Sequence, residues 1–166
     1  MLWSVLLVLL LAVLLLGGVA AAQTATATPS AAASAPAAPA VPAPEAAIRA
    51  LLEAQAKAWN RGDLPGYMQG YWHSDELTFF SGAEETRGWE KTLRRYQMAY
   101  RGKERPMGQL GFSGIQVEML GPEAAFVRGR WQLHNGKALL SKGCFTLIFK
   151  HMPEGWRIVH DHSSAG

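Results

Sequence analysis

Trp156-Arg157-Ile158-Val159-His160-Asp161-His162-Ser163-Ser164 alternates as an extended strand does, and it holds two of the chain's five histidines. In an extended chain, successive side chains point to opposite faces of a sheet. Read as a regular strand, this one puts Trp156, Ile158, His160, His162 and Ser164 on one face. Arg157, Val159, Asp161 and Ser163 fall on the other. One face thus runs from apolar to titratable, as when one end of a strand packs a core and the other lines a pocket or an interface. A well-solvated strand end gives the same letters.

Working outward from this strand, the preceding texture is also β. Ile115-Gln116-Val117-Glu118-Met119 alternates, Gly121-Pro122 turns the chain, and Ala125 to Leu133 alternates again. Asn135-Gly136 signals a hairpin. Leu139 to Lys150 returns as a strand apolar on both faces around Phe145 to Phe149, and Pro153-Glu154-Gly155 leads into the closing strand. A strand apolar on both faces needs cover on both. With helices available for one face, a second copy of the chain is expected on the other.

Further back the period becomes helical. Ile48, Leu51, Leu52, Gln55 and Trp59 form a stripe, with Glu45/Arg49 and Glu53/Lys57 pairs beside it. Gly62 suits the end of this helix, and Asp63 can cap a short second helix through Tyr67, Met68 and Tyr71 with Pro65 in its first turn. Leu77-Thr78-Phe79-Phe80 reads as a brief strand ended by Ser81-Gly82. Glu84-Glu85 and Gly88 lead into a third helix with Trp89, Leu93, Tyr96 and Tyr100 on one stripe. Three helices before a sheet make an α+β order.

No residue before Glu45 is charged, so the chain has two regimes and one folded domain, 45–166. Leu2 to Leu16 is nearly all Leu and Val, and Gly17 to Ala22 supplies the small residues that signal peptidase accepts. Residues 1–22 therefore read as a signal peptide, placing the protein in a secreted or periplasmic location. An uncleaved membrane anchor is the alternative, since no Lys or Arg precedes the apolar run. Residues 23–44, Ala-, Pro- and Thr-rich, lack large apolar side chains and read as a disordered linker.

The single Cys144 excludes an internal disulfide, and its neighbours Phe145, Leu147 and Phe149 suggest a small core residue. Lys91, Arg94, Arg95, Arg101, Lys103 and Arg105 crowd the third helix and the loop after it. They read as a solvated face; no nucleic-acid-binding motif accompanies them.

Trp59-Asn60-Arg61-Gly62-Asp63 ending the first helix, Gly88 opening the third, Gly129-Arg130-Trp131 and the closing strand together resemble the SnoaL-like branch of the nuclear transport factor 2-like superfamily. The similarity covers Glu45 to Ser164 and points to bacterial members with a domain of unknown function. It implies a cone-shaped α+β barrel, with three N-terminal helices packed on a strongly curved antiparallel sheet around an apolar cavity. It also implies a homodimer formed through the sheet. Ketosteroid isomerase, polyketide cyclases and plain binding modules share such a fold, so function rests on the site.

The aromatic candidates for the cavity wall are Trp59, Tyr67, Trp72, Phe79, Trp89, Tyr96, Trp131 and Phe145. Such walls with a few polar groups suit a flat, mostly apolar small molecule. His162, His160 and Asp161 are the candidate catalytic or anchoring groups, with Tyr67, Tyr96 or Trp72 as donors and Asp75 with Glu76 as another acid pair. A regular strand points Asp161 away from both histidines, and no residue matches the base aspartate of the isomerase relatives. His160 and His162 make half a metal site; His73, His134 or His151 has no supporting ligand spacing, so neither a metal nor another cofactor is expected. Two readings follow. One is an exported homodimeric domain binding a small apolar or aromatic ligand. The other is a cofactor-independent isomerase, cyclase or dehydratase using a histidine base.

Overall fold

A computed structural model describes residues 43–100 and 107–166. The signal and linker readings for residues 1–42 and the basic residues Arg101, Lys103 and Arg105 lie outside the described residues. The elements are α1 (Pro44–Asn60), α2 (Leu64–Met68), β1 (Thr78–Ser81), β2 (Glu84–Arg87), α3 (Trp89–Tyr100), β3 (Gln109–Gly121), β4 (Ala124–Asn135), β5 (Ala138–Met152) and β6 (Gly155–Ala165). The six strands form one curved sheet in the order β2-β1-β6-β5-β4-β3, the α+β cone arrangement. Among the described residues no helix is long and apolar enough to cross a membrane.

Local chemistry accounts for the helices. The α1 stripe buries Ile48, Leu52, Gln55 and Trp59, while Glu45–Arg49 (2.8 Å) and Glu53–Lys57 (2.6 Å) pair outside. Gly62, at φ 77°, takes the left-handed conformation that ends α1 without a Cβ penalty. The Asp63 carboxylate then accepts from the Gly66 backbone N–H at 2.7 Å, capping α2. This bond and the Arg61 guanidinium hold the Asp63 carboxyl below the usual carboxylate range.

The sheet departs from expectation in three places. Glu84–Arg87, read as the approach to the third helix, is the edge strand β2, paired antiparallel with β1 through a tight turn at Gly82. Its charged side chains suit an exposed edge. The β1–β6 pairing is parallel, with Thr78 opposite His160 and Ser81 opposite Ser163, so the sheet is mixed. β1 reaches β6 through the whole intervening chain, so no hairpin fixes its direction. β3 is also longer than the alternating stretch read from the sequence, and it carries an irregularity between Ser113 and Gln116 with Gly114 at φ 60°. Bulges of this kind bend a strand and help the sheet curl.

β5 alternates as its letters demand. Phe145, Leu147 and Phe149 are buried, whereas Cys144, between them in sequence, is exposed on the opposite face. The core assignment for Cys144 was therefore incorrect: it belongs to the period-2 set of Thr146 and Ile148, outside the cone. The inward set packs with Ile48, Leu52, Met68, Val127 and Ile158 in one core. Each such fully buried side chain contributes roughly 1.5–3 kcal/mol.

Candidate functional site

A β-bulge in the last strand decides which residues meet the interior. β5 and β6 pair Ile148 with His160 and Phe149 with Ile158, leaving Val159 as an extra residue. The bulge lies where β6 changes its other neighbour. Ile158 bonds the Gly70–Trp72 segment, with its N–H to Gly70 and its carbonyl accepting from Trp72; from His160 onward β6 pairs with β1. One extra residue exchanges the faces. Trp156 and Ile158 point inward as read, but beyond Val159 the inward residues are Asp161 and Ser163. His160 is half-buried and His162 exposed on the other face, outside the cavity.

The cavity has a volume of about 260 Å³ and lies between α1, α2, α3 and the concave face of the sheet. Of the aromatic candidates, Trp59, Tyr67, Phe79, Tyr96, Trp131 and Phe145 line it. Trp72 and Trp89 do not. Trp89 is buried elsewhere, its indole N–H donating to the Met68 carbonyl at 2.9 Å and its ring stacked on His73 at 4.2 Å. The wall aromatics pack edge to face, with Tyr67 5.3 Å from both Trp59 and Tyr96. Gly129 makes room in this wall. A Cβ there would lie 2.5 Å from the Phe145 ring, so any larger residue would push the ring into the cavity.

Asp161 sits at the buried end, 3% exposed. Tyr71 donates to its Oδ2 at 2.7 Å and Ser163 to its Oδ1 at 2.8 Å. Tyr67 and Tyr71 bring their hydroxyls within 3.3 Å of each other, a longer contact. With Asp161 ionised, the Tyr71 proton is committed to the carboxylate, so Tyr67 is the donor to Tyr71 and the chain runs Tyr67 to Tyr71 to Asp161. Burial raises the Asp161 carboxyl to about 6, against the lowering by Tyr71, Ser163 and the charge of His162. Burial also lifts Tyr67, to about 12, with the Asp161 charge adding to it; Tyr71 and Tyr96 lie well above the ordinary tyrosine value for the same first cause.

The outer face is built differently. Thr78 Oγ1 and His160 Nδ1 are 2.7 Å apart, and Phe80 lies 5.7 Å from the His160 ring and 5.9 Å from the His162 ring. Partial burial, then the neighbouring His162, lowers the His160 pKa. Asp75 and Glu76 are exposed loop residues; His73 pairs with Glu90, His134 with Gln132, and His151 packs on Trp156. Among the described residues no group of three or more His, Cys, Asp or Glu side chains is placed to hold a metal ion.

Tyr71, Ser163 and Arg95 were not among the site residues anticipated from the sequence. Tyr67 and Tyr71 are four apart across α2 and the turn after it, a spacing that stacks side chains on one side and would have flagged a tyrosine pair. Ser163 shares its face with Asp161 by simple alternation. Arg95 adjoins Tyr96 on α3 and lines the cavity where it opens to solvent.

A cone of helices on a curved sheet, enclosing an apolar cavity with polar groups at its buried end, defines the class: a nuclear transport factor 2-like fold. The chain belongs to the SnoaL-like domain family, which residues 48–166 match. Among solved structures, it is similar to a nuclear transport factor 2-like protein of unknown function from Shewanella oneidensis. The two share 42% identity and a TM-score of 0.68 over 74% of this chain and 99% of that one. A ketosteroid isomerase-like protein from Erwinia carotovora atroseptica shares the fold at 20% identity and a TM-score of 0.58, over 72% of this chain and 94% of that one. A Salmonella enterica protein of the nuclear transport factor 2-like superfamily does so at 19% identity and a TM-score of 0.61, over 74% and 93%. No curated protein gives a significant match.

Proposed function

We propose that the domain binds a small, flat, largely apolar molecule in the cone, with an oxygen of that molecule meeting the Tyr67–Tyr71–Asp161 chain. The observation that carries this reading is the pairing of an aromatic-walled cavity of about 260 Å³ with a carboxylate whose two oxygens are already engaged by Tyr71 and Ser163. A carboxylate held this way keeps Tyr71 in place, and Tyr67 gives up its long 3.3 Å contact with Tyr71 to donate its hydroxyl proton to the ligand oxygen. Native mass spectrometry of the protein purified from its natural compartment tests the reading. An added small organic mass, lost in Gly129→Phe, supports it; a bare mass that also takes up no aromatic probe at millimolar concentration removes it.

A second reading is favoured by the raised Asp161 carboxyl, which at about 6 falls where general acids and bases work. On this reading the domain enolises a cyclic ketone. Asp161 takes the carbon-bound proton after one of its donors turns away, and a tyrosine hydroxyl donates to the enolate oxygen. His162 and His160, on the outer face, have no access to that proton. Deuterium uptake into α-tetralone, followed by NMR, checks this: exchange abolished in Asp161→Asn supports it, and exchange at the buffer rate in the native protein removes it.

The expected export and pairing belong to the same proposal. The uncharged residues 1–44 support passage through a membrane, followed by cleavage or retention as an anchor. The outer sheet face, with Phe80, Phe126 and Ile148 among its polar residues, supports a homodimer through the sheet. Sedimentation of the native protein and of Ile148→Asp tests the pairing: a dimer that becomes a monomer supports it, a native monomer refutes it.

A further inference from the structure

Among the described residues of the cavity lining, a buried hydrogen-bond donor is left over and the carboxylate is already engaged. Asp161, the one carboxylate on the wall among the described residues, accepts one bond on each oxygen. The Trp131 indole N–H is buried in the wall with no partner among the described residues. An unpaired buried donor is costly, and an acceptor supplied from outside would relieve it. Arg95, the one cation among the described lining residues, stands at the solvent-open end beside exposed Ser164, Ala165 and Ala99. Its guanidinium lies 5.8 Å from the centre of the Phe79 ring and engages Glu84 through Nη1 alone, at 3.1 Å. Glu84 is three-quarters exposed on the edge strand, so this pair is weak and readily exchanged. Arginine's five N–H donors in a fixed fork suit a carboxylate.

We infer that the ligand is an aromatic or alicyclic carboxylate: its apolar body lies in the cone, its carboxylate displaces Glu84 from Arg95, and an acceptor oxygen meets the Trp131 N–H. This rests on the binding reading above and deepens it by assigning a charge to the ligand and a role to Arg95 that has no part in the Tyr67–Tyr71–Asp161 chain.

Calorimetric titration of the full-length protein at pH 7.5 with 2-naphthoate and with 2-naphthamide, equal in shape and different in charge, tests it. Naphthoate binds about tenfold tighter, the gain expected of a charge-assisted hydrogen bond over a neutral one. Arg95→Gln removes that preference by weakening naphthoate more than naphthamide, Arg95→Lys keeps part of it, and Glu84→Gln increases naphthoate affinity. Equal affinity for the two probes overturns the inference and leaves the binding reading standing. Binding of neither probe overturns both. A preference for naphthoate that persists in Arg95→Gln, in protein of native melting temperature, also overturns the assignment of the anion site.

Discussion

The two faces of β6 carry similar chemistry and different consequences. Outside, His160 and His162 flank Phe80, one half-buried and the other exposed. Inside, a single carboxylate is shut away from water with two hydroxyl donors on it, and its protonation moves to about 6. Titratable residues are denser on the outside, while the larger perturbation lies inside. Desolvation separates them: an ionised group out of water depends on the few dipoles aimed at it, whereas one in water is solvated from every side.

The most severe way to break this contrast is to exchange the two faces. Inserting an alanine between Val159 and His160 shifts everything after the bulge by one position, turning Asp161 and Ser163 out and driving His160 and His162 into an apolar cavity. The expected loss is above about 4 kcal/mol of stability, or no folded protein, because it buries unpaired polar groups and opens the core together. Urea denaturation measures it; near-native stability would show that the bulge absorbs the extra residue and leaves the faces as they are.

Asp161→Asn sharpens the contrast at the next magnitude. The carboxyl moves from an ordinary 3.8 to about 6 on folding, so the folded state holds the proton more tightly than the unfolded state does. Stability from this group is therefore full below pH about 4 and is lost as pH rises through about 6. Asparagine cannot ionise. The stability of Asp161→Asn relative to the native protein should rise by on the order of 2–3 kcal/mol between pH 4 and pH 7.5. A difference that stays constant with pH would mean Asp161 titrates normally.

The elements whose physics is local were legible in the sequence. The α1 stripe, the Gly62 stop, the Asp63 cap and the Asn135-Gly136 hairpin follow from spacing and turn chemistry, and all four stand in the structure. The site was legible in its walls and not in its polar end. Six of the eight named aromatics line the cavity, because a domain of this size has few other places to bury them. The orientation of β6 was not legible, since Val159 is an ordinary strand residue and its bulge arises from a change of neighbour on the far edge of the strand. Cys144 failed similarly: apolar neighbours in sequence are cross-face neighbours in a strand.

Tyr71→Phe tests the inner face more gently. It removes the 2.7 Å donor to Asp161 and leaves the ring in place. The expected cost is about 1–3 kcal/mol at pH 7.5, where the carboxylate is ionised, and less at pH 4, where it is neutral. Because that bond lowers the Asp161 pKa, its loss should carry the midpoint upward from about 6, read by NMR of the carboxyl carbon. A midpoint that stays put would mean that Ser163 and solvent alone set it.

The smallest effect belongs to the outer face. His162 reaches the solvent, so His162→Ala should change stability by no more than about 0.5 kcal/mol. It still bears on the interior, because the charge of protonated His162 opposes the upward shift of Asp161 through the thickness of the strand. Removing that charge should raise the Asp161 midpoint slightly, by less than Tyr71→Phe does. A dilute sample shows this through-strand effect alone. If the stability change grows with protein concentration, His162 is being covered by a second copy of the chain, and the two faces of β6 then differ in what covers them as well as in how much. If it is the same at every concentration and the midpoint does not move, the outer histidine and the inner carboxylate are electrically independent, and the chemistry of the cavity rests on its own hydroxyls.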